Sequence, residues 1–305
     1  MIKVDSTPVQ SRQIIQIEGY TVPLTIIKSD GGYTYDTTDL AAIRYRLVKL
    51  NVDKIYYVVD NGQSLHFDLI FAAAKKAGWL KTNQEVRHIG FGVVLGQDKK
   101  KFKSREGNTI KLIDLLDESL IQAKKTLKEH RSDQNGNNTE AIIKSVAYSC
   151  IKYADLSNLR TNDYCFSFDK MLSFKGNTGC YQLYEYVRIC SILRNAGQHV
   201  ESSILQIEQL ELIEKEELFI CRMLLQFPEI IDQASNDLMF HSICSYLYEL
   251  TNAFSQFHMK CRCLYYNENK ELISVNHNRI LICLATQLII GQCFNILGIN
   301  QLEKM

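Results

Sequence analysis

No cysteine precedes Cys150 in this 305-residue chain, so the first half offers no thiolate ligand for a metal. The ten cysteines that exist fall mostly on apolar runs of helical period. Cys261 and Cys263 are one residue apart, and no matching Cys/His pair follows, as a structural zinc site requires. Reduced, buried thiols of a cytosolic protein are the expectation, with no protein-bound metal. Excess charge of one sign is also lacking. With 35 Lys and Arg against 34 Asp and Glu the net charge is +1, which excludes a uniformly basic surface and confines any nucleic-acid contact to local patches. The N-terminal MIKVDSTPVQSRQ has no apolar core of a secretory signal. The most apolar run, Ile280 to Ile290 (ILICLATQLII), is short for a bilayer and carries Gln287, so it reads as a buried helix. A cytoplasmic location without membrane contact is expected.

What is present is an ordinary core-forming composition, 46% apolar and 23% charged, in a chain long enough for two domains. The front part alternates strand and helix signals. Thr21 to Lys28 is strand-like, and Lys54 to Val59 (KIYYVV) is an aromatic and β-branched run of the kind buried in a sheet. Asp60, Asn61 and Gly62 break it, a helix runs from Ser64 towards Gly78, and a second strand lies near Arg87 to Leu95. Leu112 to Leu127 reads as a helix. This order is that of a nucleotide-binding α/β sheet. The polar stretch His130 to Glu140 is the linker candidate, and helical periods dominate from Thr139 onward, over Gln182–Asn195, Glu214–Phe227, Phe240–Lys260 and Arg279–Leu297. An all-α bundle is expected there.

Three blocks of the front part carry chemistry. Tyr35 and Asp39, four residues apart, share a face if a helix begins there, with Thr37 and Thr38 standing where caps are expected. A carboxylate beside a tyrosine suits a guanidinium, although a first-turn acid also answers the helix dipole. Gln63 lies at the carboxyl end of a strand, where open α/β sheets place ligands. His66, three residues on, reads as a residue that packs on its helix. The third block ends in Lys99 to Arg105, with glycines at 90, 92, 96 and 107. Clustered cations on a loop after a strand can neutralise a transferring phosphoryl or adenylyl group, and the same cluster also suits a solvated face or a nucleic-acid patch. It is not a Walker A loop. In the helical part, Leu183, Tyr186, Val187, Cys190 and Leu193 fall on one face while Tyr181, Tyr184 and Arg188 share the other. Exposed aromatics beside an arginine suit stacking on unpaired bases; both tyrosines could equally pack on a neighbouring helix.

Together these blocks resemble an arginyl-tRNA synthetase. In that family a Tyr-x-x-x-Asp pair and a downstream Gln contact the arginine substrate, which the resemblance assigns to Tyr35, Asp39 and Gln63. The KFKSR loop looks like a divergent form of the Lys-Met-Ser-Lys-Ser signature, giving Lys101, Lys103, Ser104 and Arg105 the loop that closes over ATP. The segment holding His88, Gly90, Phe91, Gly92, Val93 and Val94 resembles the ATP-binding strand. Lys152 to Thr178 resembles the family's connecting segment, and the closing GINQLEKM its final residues. Tyr181, Tyr184 and Arg188 would then face the anticodon, with Phe254, Phe257 and Met305 matching it less closely. The resemblance implies an incomplete Rossmann-type class I catalytic domain followed by a DALR-type helical domain. Its boundaries are residues 1–135, a connecting segment 136–175, and 176–305. It also implies arginine, ATP with Mg²⁺, and tRNA-Arg as ligands of a monomer. His88, Ile89 and Gly90 spell the start of the His-Ile-Gly-His signature, but Phe91 follows and the segment reads as a strand. The expectation is therefore a piece of the enzyme that is inactive alone. The rival is a non-catalytic tRNA-binding or assembly module.

Overall fold

The computed structural model describes residues 12–96, 111–130, 139–206 and 208–304. The described residues up to Val93, joined by Thr161–Asp163, form one compact unit. Val94–Arg160 and the residues from Tyr164 onward form a second.

In the first unit a short antiparallel pair, β1 (Gln13–Ile15) and β2 (Leu24–Ile27), precedes helix α1 (Tyr35–Arg44). The helix continues as a π-helical turn, Tyr45–Lys49, and stops at Asn51, whose positive φ of 48° asparagine tolerates better than most residues. Strand β3 (Lys54–Asp60) then pairs in parallel with β4 (Glu85–Phe91), and α2 (Ser64–Lys76) makes the crossover between them. Leu24, Leu40, Ile43, Leu47, Ile55, Ile70 and Ala74 fill the core between these elements. Truncating one such buried leucine to alanine costs about 2–5 kcal/mol. The run KIYYVV is only half buried: Ile55 points inward, whereas Tyr56 and Val58 are exposed. Alternation replaces full burial because, among the described residues, β3 pairs with β4 alone.

The second unit begins with β5 (Val94–Leu95), which pairs in parallel with β6 (Tyr164–Cys165). Helices α3 (Leu112–His130) and α4 (Thr139–Leu156) pack together in one core through Ala123, Leu127, Ile143, Val146 and Ala147. The polar stretch between them therefore joins two helices of one compact unit, and the two units divide at Val93/Val94. After the short α5 (Phe168–Met171) come α6 (Gly179–Ala196), α7 (His199–Gln206), α8 (Lys215–Leu225), α9 (Phe227–Asp237) and α10 (His241–Lys260). A hairpin of β7 (Leu264–Tyr266) and β8 (Leu272–Val275) interrupts the expected all-α pattern before α11 (His277–Leu297).

Local chemistry explains where these helices start. Thr178 caps α6 by accepting from the Tyr181 N–H at 3.1 Å, and Asn276 caps α11 by accepting from the Arg279 N–H at 3.1 Å. Glu217 accepts from the N–H groups of Ile213 (2.7 Å) and Glu214 (2.9 Å), and Arg279 Nε donates to its other oxygen at 2.6 Å. That buried pair ties α8 to α11. Burial favours the neutral acid, yet these donors outweigh it and hold Glu217 below the ordinary carboxylate range. At 21 residues α11 is longer than the apolar run suggested, and by length and composition alone could cross a membrane. Half of its apolar window is spent on core packing, through Ile280, Ile282, Cys283, Ile290, Cys293 and Phe294. All ten cysteines are free thiols, and all but Cys165 and Cys221 are buried.

Candidate functional site

Helix α1 opens one turn earlier than its threonines suggested, with Thr34 at the N-cap position. The hydroxyls of Thr34 and Thr37 donate instead to the carbonyls of Thr25 and Ile26, which pins the first turn of α1 against β2. Thr38 turns back on the Tyr35 carbonyl at 2.8 Å. Asp36 is fixed in the same way, because one of its oxygens accepts from the Thr25 N–H at 2.9 Å.

Tyr35 and Asp39 share the face their spacing implied, and a third side chain joins them. His66, buried on α2, places Nε2 at 2.7 Å from Asp39 Oδ2 and Nδ1 at 3.2 Å from Asp36 Oδ1. The Tyr35 ring lies 4.5 Å from the imidazole. His66 is thus buried, as expected of a packing residue, but it is bonded to the very carboxylate singled out for a ligand. Burial, reinforced by the carboxylates of Asp36 and Asp39, raises the Tyr35 phenol above its ordinary value, so it remains a protonated donor. Tyr35 is 64% exposed and the Asp39 side chain 36%. An accessible carboxylate beside an accessible aromatic ring is a receptor for an organic cation.

The parallel register of β3 and β4 brings Asp60 level with Phe91, so both strands end together. Gln63 follows β3 in a single 3₁₀ turn, Asn61–Gln63, at the N-cap position of α2, and it is exposed. The turn is held by the Gly62 N–H, which donates to Asp60 Oδ1 at 2.7 Å. Two glycines mark where the backbone is closely approached, by a side-chain amide at Gly90 and by backbone at Gly92. A Cβ on Gly90 would stand 2.0 Å from Asn61 Oδ1, and one on Gly92 would stand 2.2 Å from the Asn162 carbonyl oxygen. Asn61 Nδ2 donates to the Thr161 carbonyl at 2.9 Å, and the Val93 N–H donates to Asp163 Oδ1 at 2.6 Å. The His88-Ile89-Gly90 triplet lies inside β4. The His88 ring stacks on Phe67 at 5.1 Å with Nε2 3.2 Å from the Val59 carbonyl, both within the same unit. Val94 pairs with Tyr164 in the short parallel pair of the second unit.

In the helical unit, Leu183, Tyr186, Cys190 and Leu193 are buried, and Val187 half-buried, as the helical period implies. Gln182, Glu185 and Ile189 are buried as well, so only a narrow stripe of α6 remains open. Tyr181 is half-buried against α10: its hydroxyl donates to Asn252 Oδ1 at 2.8 Å, its ring meets Tyr248 edge-on at 5.8 Å, and burial pushes its phenol up to about 12. Tyr184 is exposed. Arg188 donates to the Tyr184 hydroxyl at 3.0 Å and through Nη1 to both oxygens of Glu185, at 3.0 and 3.1 Å. Glu185 is 1% exposed; burial raises its carboxyl, against the opposing pull of Arg188. Phe257 belongs elsewhere. It has no exposed surface and packs on Phe254 in the core, so the expectation that it faces RNA is corrected. It falls on the buried stripe of its helix, with Ile243, Leu247, Leu250 and Phe254.

Lys101, Lys103, Ser104, Arg105 and Met305 lie outside the described residues. Two open hollows in the helical unit, about 310 and 390 Å³, are lined by none of the singled-out residues. Among the described residues no group of three or more His, Cys, Asp or Glu is placed to hold a metal ion.

Residues 6–168 match the family of class I tRNA synthetases (R), catalytic domain, and residues 182–305 match the DALR anticodon binding domain. The chain is 47% identical over 300 residues to the cytoplasmic arginine–tRNA ligase of Bos taurus, covering 96% of this chain and 46% of that protein. It is equally identical, over 302 residues, to that of Homo sapiens, with the same shares covered. The arginyl-tRNA synthetase structure from Plasmodium falciparum superposes with a TM-score of 0.82 at 35% identity, covering 99% of this chain and 50% of that one. The Thermus thermophilus arginyl-tRNA synthetase gives 0.78 at 19% identity, covering 96% and 54%, a likeness of fold. The chain spans about half the length of the curated relatives it matches.

Proposed function

Because this chain belongs to the arginyl-tRNA synthetase family, as a class I catalytic portion followed by a DALR anticodon-binding domain, we propose that it serves the ATP-dependent attachment of arginine to tRNA-Arg. In that reaction the arginine carboxylate attacks the α-phosphate of ATP, forming arginyl-adenylate and releasing pyrophosphate. The arginyl carbonyl then passes to a terminal-adenosine hydroxyl of the tRNA, and AMP leaves. The observation that carries this reading is the Asp39 carboxylate held by His66 beside the open Tyr35 ring.

In this reading Asp39 pairs with the substrate guanidinium, while Tyr35 and Gln63 fix its pose. A pocket built on such bonds rejects analogues that lack them by roughly 10⁴-fold. Phe91, Gly92, Val93 and Val94 line the adenine, and the bare backbone at Gly90 and Gly92 shapes the approach beside them. His88, on the same strand, belongs to this ATP-binding set. Lys101, Lys103, Ser104 and Arg105 neutralise phosphate charge as it develops, and Mg²⁺ enters as the counter-ion of ATP. Tyr184 and Arg188, with Tyr181 behind them and Met305 near the chain end, receive unpaired anticodon bases. The protein acts as a monomer in the cytoplasm, without membrane contact.

The helical unit's own continuous core favours a second reading, in which this 305-residue chain binds tRNA without catalysing. Pyrophosphate exchange with arginine, ATP and tRNA-Arg, run beside a tRNA-binding titration, separates the two. We expect binding without exchange from this chain alone, with exchange belonging to a longer polypeptide. Exchange above background would overturn the second reading, and loss of both signals would overturn each.

A further inference from the structure

His66 is buried, yet both of its ring nitrogens face carboxylate oxygens: Nε2 lies 2.7 Å from Asp39 Oδ2 and Nδ1 3.2 Å from Asp36 Oδ1. A neutral imidazole carries one N–H and can donate to one of these; only the imidazolium donates to both. The two acids are not equivalent. Asp36 is anchored to the backbone N–H of Thr25 and is nearly buried, while Asp39 reaches the surface. Among the described residues, Asp39 Oδ1 takes no hydrogen bond. The Tyr35 ring covers one side of the imidazole, and Phe67 meets it edge-on at 5.1 Å. Neither neighbour competes for a ring proton.

We propose that His66 is a positioning residue for cation recognition: donating from both ring nitrogens, it ties Asp39 to the anchored Asp36 and leaves one Asp39 oxygen presented to the ligand. The assignment rests on the reading that the ligand is the arginine guanidinium. The series of contacts runs from the Thr25 backbone N–H, which donates to Asp36, through the 3.2 Å approach of Asp36 to His66 Nδ1, to the 2.7 Å bond between His66 Nε2 and Asp39. It removes the rotamer freedom that a lone surface aspartate would lose on binding, which is preorganisation of the receptor.

The test uses the 305-residue chain labelled with ¹⁵N in histidine and ¹³C in aspartate carboxyls, together with H66Q and H66A. Long-range ¹⁵N–¹H spectra are expected to show both His66 nitrogens protonated, and the Asp39 carboxyl signal should shift in H66A and partly return in H66Q. Titration calorimetry with L-arginine should give a dissociation constant raised roughly tenfold in H66A, the worth of one charge-assisted bond, with part recovered in H66Q. A bare ring nitrogen in the unmodified chain overturns the proposal. So does an Asp39 signal and an arginine affinity unchanged in H66A. If the unmodified chain takes up no arginine, the arginine-pocket reading fails for this chain, while the His66 and Asp39 signals still decide whether His66 positions the acid.

Discussion

In the α/β unit an acid, Asp39, stands at the surface beside an exposed tyrosine and is held by a buried base, His66. In the helical unit the signs are exchanged: Arg188 stands beside exposed Tyr184 and is held by a buried acid, Glu185. Each cluster spends one buried ionisable group on fixing the group it presents. The difference in sign matches the difference in ligand proposed for each, a guanidinium for the first and a polyanion with open bases for the second. It also shows why a net charge of +1 says little about what this chain binds. The two presented charges, Asp39 and Arg188, are of opposite sign and cancel in the sum.

The strongest way to break the comparison is to remove the presented acid. D39N should lower arginine affinity by roughly a hundredfold or more, the usual consequence of truncating one member of a hydrogen-bonded charge pair. Calorimetry checks it, and a smaller loss would move the cation site away from Asp39. Next in size is Y184A. It should weaken tRNA-Arg binding roughly tenfold, as loss of a base-stacking platform does, while the folded helical content stays constant by circular dichroism. Unchanged affinity would show that the open stripe of α6 meets no base.

A smaller effect is expected at the buried partner. E185Q keeps the shape but loses the full charge that orients Arg188, so tRNA affinity should fall roughly threefold through lost preorganisation. The dependence on salt should stay as it was, because Arg188 keeps its charge. Smallest of all is a pH effect. Glu185 has a raised folded value, so the folded state binds its proton first. Its contribution to stability grows as the pH falls from neutral through that raised value. Glu217 has a lowered folded value, so its contribution is present above the ordinary glutamate range and is lost as the pH falls below it. Melting curves of E185Q and E217Q between pH 7 and roughly pH 4 should therefore diverge from the parent in opposite senses.

Much of this was written in local pattern, and the remainder was not. The strand at Lys54, the helix from Ser64 and the placement of Gln63 between them follow from neighbours in sequence. Tyr35 and Asp39 stood out through spacing and family likeness. The role of His66 is tertiary: its partners lie 27 and 30 residues away, on a helix whose orientation no local period reports. Phe257 is a different case: it stands with Ile243, Leu247, Leu250 and Phe254 on the buried stripe of α10, so local period does report it as core, and only the family likeness had turned it towards RNA. The packing of α3 on α4 across a polar stretch was equally silent, because polarity reports solvent and not domain membership. His88 offers the converse case, where the local strand signal outweighed a tempting three-letter match.

One detail of the α/β unit bears on how the polypeptide comes off the ribosome. Gly92, Val93 and Asn61 close on Thr161, Asn162 and Asp163, about seventy to one hundred positions later in the chain. The unit that begins the described sequence is therefore finished only after two long helices of the other unit have been synthesised. Until then the ends of β3 and β4 lack the strap that fits against Gly92 and Asn61, and a nascent chain stalled before residue 161 would hold that edge open to solvent or to a chaperone.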